Sequence, residues 1–434
     1  MRSLWPTGEL WRNGDFLKLW SAETISQFGS QVGALALPLV AVLTLESSPF
    51  EVSVLTTLEF LPFILFTIPA GVWVDRLARR PLLIASDLGR FALYMTVPIA
   101  YVADALTIWQ LYAVGFLYGI CTVFFDVAYQ SYLPSLVTRD QLIDGNSKLE
   151  ISRSAAQLGG PGLGGLSVQL LTAPYAVLAD AISFLVSGVF LLGIRKPEPA
   201  PEREEGAPRP SMLREAREGL GYVLGNRYLR AIAGTTAISN FASMMAFAIF
   251  LVYAVRTLGL SAAAIGIIFS IGSIGAMGGA LFGRRIAARL GVGPTIIASA
   301  AVFGPAALLI PAAPVSFPYP FLIAGIILFG FAGVVYNVTQ LSYRQAITPE
   351  RMLGRMNSVM RFIVWGVIPI GSLVGGALGT LIGLREAMWI GAAIGTLSCL
   401  PVLFSPVRHL REMPEPVTDA PGPEPDQEPE PARA

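Results

Sequence analysis

The sequence predicts an all-α membrane protein of twelve transmembrane helices in two six-helix bundles. Three observations carry this expectation: a composition too apolar for a soluble domain, a series of apolar runs long enough to cross a bilayer, and basic residues gathered on one side of them. Of 434 residues, 54% are hydrophobic and 14% charged, with mean hydropathy +0.62. A chain of that make-up turns apolar surface toward lipid.

A hydrocarbon core about 30 Å thick takes roughly 20 helical residues to cross. Such runs fall near 17–45, 51–74, 82–103, 107–128, 147–172 and 174–194, and again near 229–255, 262–283, 292–314, 319–341, 359–383 and 386–405. Of 30 Lys and Arg, only Arg256 and Arg385 fall in turns of one face, with Arg90 inside span 3; the others collect at or near the opposite face. Positive residues mark the cytoplasmic side, so both termini are expected in the cytoplasm. The first 20 residues lack the layout of a removable signal peptide, and the first span is expected to target the chain.

The expected organisation is an N-terminal bundle over 1–194, a linker over 195–227, a C-terminal bundle over 228–405 and a tail over 406–434. The linker opens rich in Pro and charge and ends in an amphipathic surface helix, with Met212, Leu213, Ala216, Leu220 and Val223 spaced for one face. The tail, rich in Pro and Glu, reads as disordered. The two bundles look like copies: a shift of 211 residues places Ser131-Tyr132 on Ser342-Tyr343, Asn146-Ser147 on Asn357-Ser358, and Gly164-Gly165 on Gly375-Gly376. A parallel repeat of six spans implies a pathway at the bundle interface near the midplane.

Composition also narrows the chemistry. Net charge of +1 gives no general argument for nucleic acid, and Cys121 and Cys399 both lie inside apolar runs. No disulfide framework, metal site or cofactor is implied. The one histidine, His409, lies beyond the last span, which weighs against a membrane enzyme with a His base and against a histidine proton relay. The protein is not expected to be an enzyme.

The turn GVWVDRLARRPLL, residues 71–83, joins spans 2 and 3. Each arginine would cost about 2.5–3.5 kcal/mol at a helix centre, so this turn stays in water. Gly71, Asp75, Arg76, Arg79 and Arg80 resemble the loop signature of the major facilitator superfamily of secondary transporters, with Trp73 and Ala78 where that signature has Leu and Gly. The resemblance covers about 15–405. It implies the major facilitator fold with pseudo-two-fold symmetry, and a turn whose charges latch the inner ends of the halves together. In that reading Asp75 meets the start of span 11 near Asn357 and Ser358, and Asp126 pairs with one of the arginines. A static anchoring role fits the same residues.

Span 5 carries Ala156, Gly160, Pro161, Gly164 and Gly165, which resembles the Gly-Pro motif of the exporting branches, with Ala156 replacing the first Gly. Physically, Ala156, Gly160 and Gly164 line one face and admit another helix closely. Span 8, with Gly275, Gly279 and Gly283, is the expected partner; Gly371, Gly375, Gly379 and Gly383 form a similar row in span 11. Ordinary helix packing needs the same spacing. The segment from Tyr129 to Gly165 is most similar to the bacterial branch of macrolide efflux proteins and the enterobactin exporter. That implies proton-driven export of a drug-like compound, macrolide or siderophore across a bacterial inner membrane. Many proton-coupled exporters carry an Arg in span 4 where this chain has Gly115, so coupling must use other groups.

Ionisable residues within spans are costly and point to function. Glu23, Gln27 and Ser30 or Gln31 share a stripe of span 1; Glu59 lies in span 2, and Asp180 shares a stripe with Ser183 and Ser187. Glu23, Glu59 and Asp180 are the candidate proton carriers, each equally able to bond a neighbouring helix. Asp87 and Arg90, three residues apart, are expected to neutralise each other. Gln27, Gln31 and Phe125, with Asn240 and Phe241 of span 7 and Asn337 and Gln340 of span 10, are the candidate cavity for a bulky amphipathic molecule. The expected partners are a small-molecule substrate, protons and the lipid bilayer, and a monomer suffices. Uptake of a nutrient by the same fold, or lipid flipping without proton coupling, fits the same pattern.

Overall fold

The computed structural model describes residues 9–74, 77–138, 141–198 and 212–414. The helices are α1 (Gly14–Leu39), α2 (Pro49–Val74), α3 (Arg79–Val102), α4 (Ile108–Leu136), α5 (Leu142–Leu171), α6 (Ala173–Leu192), α7 (Met212–Gly225), α8 (Arg227–Val252), α9 (Ala262–Leu290), α10 (Val292–Ala312), α11 (Tyr319–Ala346), α12 (Glu350–Leu381) and α13 (Leu384–Leu397), and no strand occurs among the described residues. Among the described residues, eleven helices are long and apolar enough to cross a membrane. The remaining expected span is α5, 30 residues long, whose first half carries Asp144, Lys148, Glu150 and Arg153.

Helices α1–α6 pack into one bundle and α8–α13 into a second, joined mainly where α5 crosses α9 and α2 crosses α12. The repeat register is visible in the backbone. Thr172 and Gly383, 211 residues apart, both have positive φ (74° and 111°) and start α6 and α13. Helices α1 and α8 both finish in a wider turn, where Leu45 N donates to Val40 O (3.0 Å) and Leu258 N to Tyr253 O (3.1 Å). Positive-φ Glu46 and Gly259 end these turns.

The paired glycines divide their work in the same way in both halves. Gly164 faces Val32 of α1, while Gly165 abuts Ala262 and Gly266 of α9. Correspondingly Gly375 faces Met245 of α8 and Gly376 abuts Ser53 and Phe50 of α2. The first glycine packs its own half and the second joins the halves. Spans 5 and 8 do pair, as α5 and α9, but through Gly165 and Gly266 and not through the glycine rows expected to meet. Gly160 and Gly164 pack on Gln31 and Val32 in α1, and Gly275, Gly279 and Gly283 pack on Ile327, Phe331 and Val335 in α11. Along a helix adjacent residues diverge by about 100°, so the residue after each row faces a different neighbour. Gly383 leaves its expected row too, because it lies in the turn after α12.

One end is sealed by a single apolar cluster drawn from both halves, including Leu39, Val40, Val52 and Leu55 with Phe250, Val252 and Ala262. Arg256 adds a polar tie, donating to Ser47 O (2.8 Å) and Val42 O (3.4 Å) across the seal. Arg385 similarly donates to Pro311 O (2.7 Å) and Ala313 O (2.9 Å) at the C-terminus of α10. Arg385 thus meets carbonyls at a helix C-terminus, where a cation is favoured, while Arg256 bonds one carbonyl near the end of the first span and one in the turn before α2. At the other, basic end the halves keep separate cores, around Phe16, Tyr132 and Leu133 in one and Met356, Met360 and Tyr343 in the other. A gap of 240 Å³ lies between α2 and α12 there, lined by Phe63, Thr67, Asn357, Arg361 and Trp365.

Helix α7 lies on α12 at this basic end. Arg355 pairs with Glu218 at 2.8 Å, and Tyr222 OH donates to Ile347 O at 3.2 Å. Val223 is buried but Leu220 is exposed, so the packed face is turned from the expected one; Gly219 is the residue that admits α12 closely. The side chains of Met212, Leu213 and Ala216 lie outside the described residues. The tail departs from expectation at its start: Gly293 N donates to Leu410 O (2.9 Å) and Val292 N to Arg411 O (3.3 Å). Residues 406–411 therefore satisfy N–H groups that the start of α10 leaves free, and Val407 is buried. The tail from 415 lies outside the described residues.

Candidate functional site

The N-terminal half encloses a cavity of 510 Å³ that runs from Gln31 and Tyr118 within the bundle to Asn146 near the basic end. Helix α1 supplies Glu23, Ser26, Gln27, Ser30 and Gln31; α4 supplies Thr122, Phe125, Asp126 and Tyr129; α5 supplies Asn146, Glu150, Arg153 and Gln157. Gln27 Nε2 donates to Glu23 Oε1 at 2.7 Å, one helical turn away. Glu23 is 6% exposed, and its Oε2 has no hydrogen-bond partner among the described residues. A buried carboxylate oxygen left open onto a polar cavity has its binding capacity unspent.

Arg90 reaches the same cavity from α3. It forms a buried ion pair with Asp87, as its spacing predicts, and Ser187 Oγ donates to the other carboxylate oxygen at 2.7 Å. The guanidinium lies between the rings of Phe125 (4.1 Å) and Phe184 (4.4 Å). This sandwich fixes a buried cation by charge pairing and cation–π contact together. Arg90 is therefore neutralised from behind, while Glu23 and Asp126 have no ion-pair partner among the described residues.

The other candidate carriers lie elsewhere. Asp180 is fully buried against Gly29 and Gly33 of α1, accepts from Ser183 Oγ at 3.0 Å, and keeps Oδ2 without a partner among the described residues. Ser187, expected on its stripe, bonds Asp87 instead. Glu59 does not line the cavity; a methyl group at Gly115 would meet its Cγ at 3.0 Å. The position where an Arg was missing is thus occupied by the stem of Glu59.

The expected substrate cavity is only half assembled. Gln27, Gln31 and Phe125 line the N-terminal cavity. Asn240 Nδ2 donates to Val364 O at 2.9 Å, tying α8 to α12, and Phe241 O lies against Gly371. Gln340 Nε2 donates to Asn337 Oδ1 at 3.0 Å. Asn240 and Phe241 thus serve the α8–α12 contact, whereas Gln340 and Asn337 bond each other within α11 and Gln340 Oε1 keeps no partner among the described residues. Sequence reading missed Asn146, Glu150, Arg153 and Gln157. Their spacing is a helical stripe, and that periodicity was the available signal.

In the basic turn, Asp75 and Arg76 lie outside the described residues. Arg79 pairs with Glu198 at 3.7 Å, and the backbone N–H groups of Arg79 and Arg80 donate to the same carboxylate at 2.8–3.1 Å. Arg80 donates to Leu191 O and Leu192 O at 3.1 and 2.7 Å. The described part of the turn thus binds its own half, at the N-terminus of α3 and the C-terminus of α6. Asp126 does not pair with Arg79 or Arg80, because it faces the cavity; Gly71 has no close neighbour. Ala156, Gly160 and Gly164 are buried, and the carbonyl of Pro161 meets Gly266 across the halves. No group of His, Cys, Asp or Glu among the described residues is placed to hold a metal ion.

Two helical bundles sealed at one end and separated at the other, with polar groups buried between spans, define a membrane transporter. The chain belongs to the Major Facilitator Superfamily, whose sequence profile matches residues 19–366 and 233–432. It is 23% identical over 407 residues to macrolide efflux protein A of Streptococcus pyogenes, covering 92% of this chain and 97% of that protein. It is 26% identical to the multidrug efflux pump Tap of Mycolicibacterium fortuitum over 396 residues, 86% and 91% of the two chains. Its fold is similar to a bacterial homologue of the iron transporter ferroportin in an inward-facing state (TM-score 0.71, 16% identity, 91% and 99% coverage). It is also similar to a bacterial homologue of the lysosomal transporter Spinster (TM-score 0.70, 13% identity, 91% and 97% coverage).

Proposed function

We propose that this protein exports small amphipathic molecules by alternating access, as a proton-driven antiporter of the bacterial inner membrane with both termini in the cytoplasm. The observation that carries the reading is Glu23, whose unpartnered carboxylate oxygen lines a polar cavity reaching toward the basic end while the opposite end is sealed by one shared core. With basic residues on the cytoplasmic side, this is the inward-facing state, in which a substrate enters from the cytoplasm. Bundles 1–194 and 228–405 then rock about the glycine crossings, and Asp75 and Arg76 of the basic turn latch the outward-facing state. Glu23 carries the coupling proton, with Asp126 beside it in the cavity. The names of the two efflux relatives support a drug-like compound or macrolide as substrate. A monomer completes the pathway.

The test is efflux of a panel of dyes, macrolides and siderophores from cells expressing the chain, with and without an uncoupler, beside Glu23→Gln and Asp75→Asn at matched expression. Uncoupler-sensitive efflux lost in both variants supports the reading. Efflux indifferent to the uncoupler and to Glu23→Gln overturns proton coupling through this residue. Accumulation in place of efflux overturns the direction.

A further inference from the structure

The C-terminal half encloses a second cavity, of 290 Å³, among α8, α9, α10, α11 and α13. Its wall is largely apolar, with Phe269, Phe303 and Phe329 among small and aliphatic residues and Phe247 at 53% exposure on the rim. The polar side chains on the wall are Ser239 and Ser243, and Ser243 Oγ already donates to Ser239 O at 2.7 Å.

The repeat explains why the space is open. Helices α4 and α11 begin at Ile108 and Tyr319, 211 residues apart, and the turns before α6 and α13 keep the same register. In this register Phe329 stands for Tyr118, Gly391 for Asp180 and Gly395 for Phe184. In the N-terminal half that interior is filled: Asp180 and Phe184 are fully buried, and the Phe184 ring lies 5.9 Å from Tyr118. In the C-terminal half two glycines take their places. Gly395 is not required by close packing, since a methyl group there would sit 3.7 Å from Ala242 Cβ and Gly304 Cα. At Gly391 the α8 backbone closes in, Ala242 O lying 3.3 Å from a methyl group there, so the room left open is at Gly395, where Phe184 fills the N-terminal half.

Ions and ordered water need several polar partners, which this wall does not supply. An apolar cavity of roughly 150 Å³ takes a benzene ring, and this one is larger. We propose that it is a binding pocket for an uncharged apolar group of one or two rings, namely the hydrophobic portion of the carried molecule, whose polar portion the cavity at Glu23 receives. The identity of that molecule rests on the export reading; the pocket does not.

The experiment uses the full chain in lipid nanodiscs and the uncharged fluorophore N-phenyl-1-naphthylamine, with empty nanodiscs to subtract partition into lipid. Wild type is expected to give a saturable signal of one probe per chain. Gly395→Phe, which restores the ring Phe184 supplies, is expected to weaken binding by about tenfold or more because the cavity is already filled, while Gly395→Ala keeps it and the melting temperature does not fall. If Gly395→Phe does not fold, Ala307→Leu, on the same wall, takes its place. No saturable signal in wild type, or an unchanged signal in a folded filling variant, overturns the pocket. Displacement of the probe by short-chain phosphatidylcholine but by no exported dye overturns the assignment to substrate in favour of lipid. Equal dye export by wild type and Gly395→Phe overturns it also and leaves export standing. Probe binding abolished by Gly395→Phe in a chain that exports nothing supports the pocket and overturns export.

Discussion

Gly165→Ala tests whether the α5–α9 crossing is a moving seal. A methyl group at Gly165 would lie 2.9 Å from Gly266 Cα, and closer still to Ala262 O. Both obstacles are backbone, so no rotamer relieves the clash, and the helices must part by about 0.5–1 Å to regain van der Waals contact. Overpacking of this kind costs about 1–3 kcal/mol. The crossing joins the two halves, so the cost falls on the sealed state and is relieved when that end opens. A bias of about 1–3 kcal/mol shifts a two-state equilibrium by about 5–150-fold. The assay places a reporter cysteine at Ser53, fully buried at the α2–α12 crossing, with Cys121 and Cys399 replaced, and follows labelling by an impermeant maleimide. Labelling should quicken within that range in Gly165→Ala. Gly275→Ala is the control, because its methyl group would strike the Ile327 backbone inside one half; it should lower thermal stability without quickening labelling. Unchanged labelling in folded Gly165→Ala, or an equal rise in Gly275→Ala, would refute the seal.

Arg256→Gln removes the guanidinium bonded to Ser47 O and Val42 O across the seal; at about 1 kcal/mol net for such bonds, Ser53 reporter labelling should quicken about fivefold, and Arg256→Lys should restore part of the difference. Asp87→Asn leaves Arg90 buried with its charge uncompensated, which costs about 3–5 kcal/mol, whereas replacing both residues by leucine should cost far less; thermal unfolding in detergent checks both, and equal melting of wild type and Asp87→Asn would count against a structural pair.

Much of the fold was legible because membrane insertion leaves coarse marks. Apolar length and arginine asymmetry place the spans, and the glycine dipeptides reveal the repeat. Which neighbour each glycine meets was not legible. Gly164 and Gly165 are adjacent in sequence yet face α1 and α9 respectively, a distinction of one helical step that spacing alone does not make. Span 5 falls outside the apolar criterion for a related reason: Asn146, Glu150, Arg153 and Gln157 line a polar cavity, and these polar groups break its apolar run. The candidate site was legible where an ionisable group lies inside a span, as at Glu23, which bonds Gln27 through one oxygen and keeps the other without a partner among the described residues. It was illegible where a polar side chain was bound by its surroundings, as Asn240 is by Val364 O.

The division between what the repeat keeps and what it loses has a physical reason. Gly165 and Gly376, the wider turns after α1 and α8, and the positive-φ residues Thr172 and Gly383 belong to the crossings or to the turns that aim helices at them. Under pseudo-two-fold symmetry each half must present the same surface to the other, so a change in one would unbalance the seal. The bundle interiors meet no such constraint. In one, Asp87, Arg90 and Asp180 are buried among rings; in the other, spans α8–α12 carry no acidic residue except Glu350 at the basic end. A buried charge costs several kcal/mol unless paired, so the groups that compensate one another must share a bundle. Paired buried charge therefore gathers in one half; in the other the buried Arg344 lies in the last turn of α11 and off the wall of the apolar cavity, which can be emptied without disturbing a charge pair.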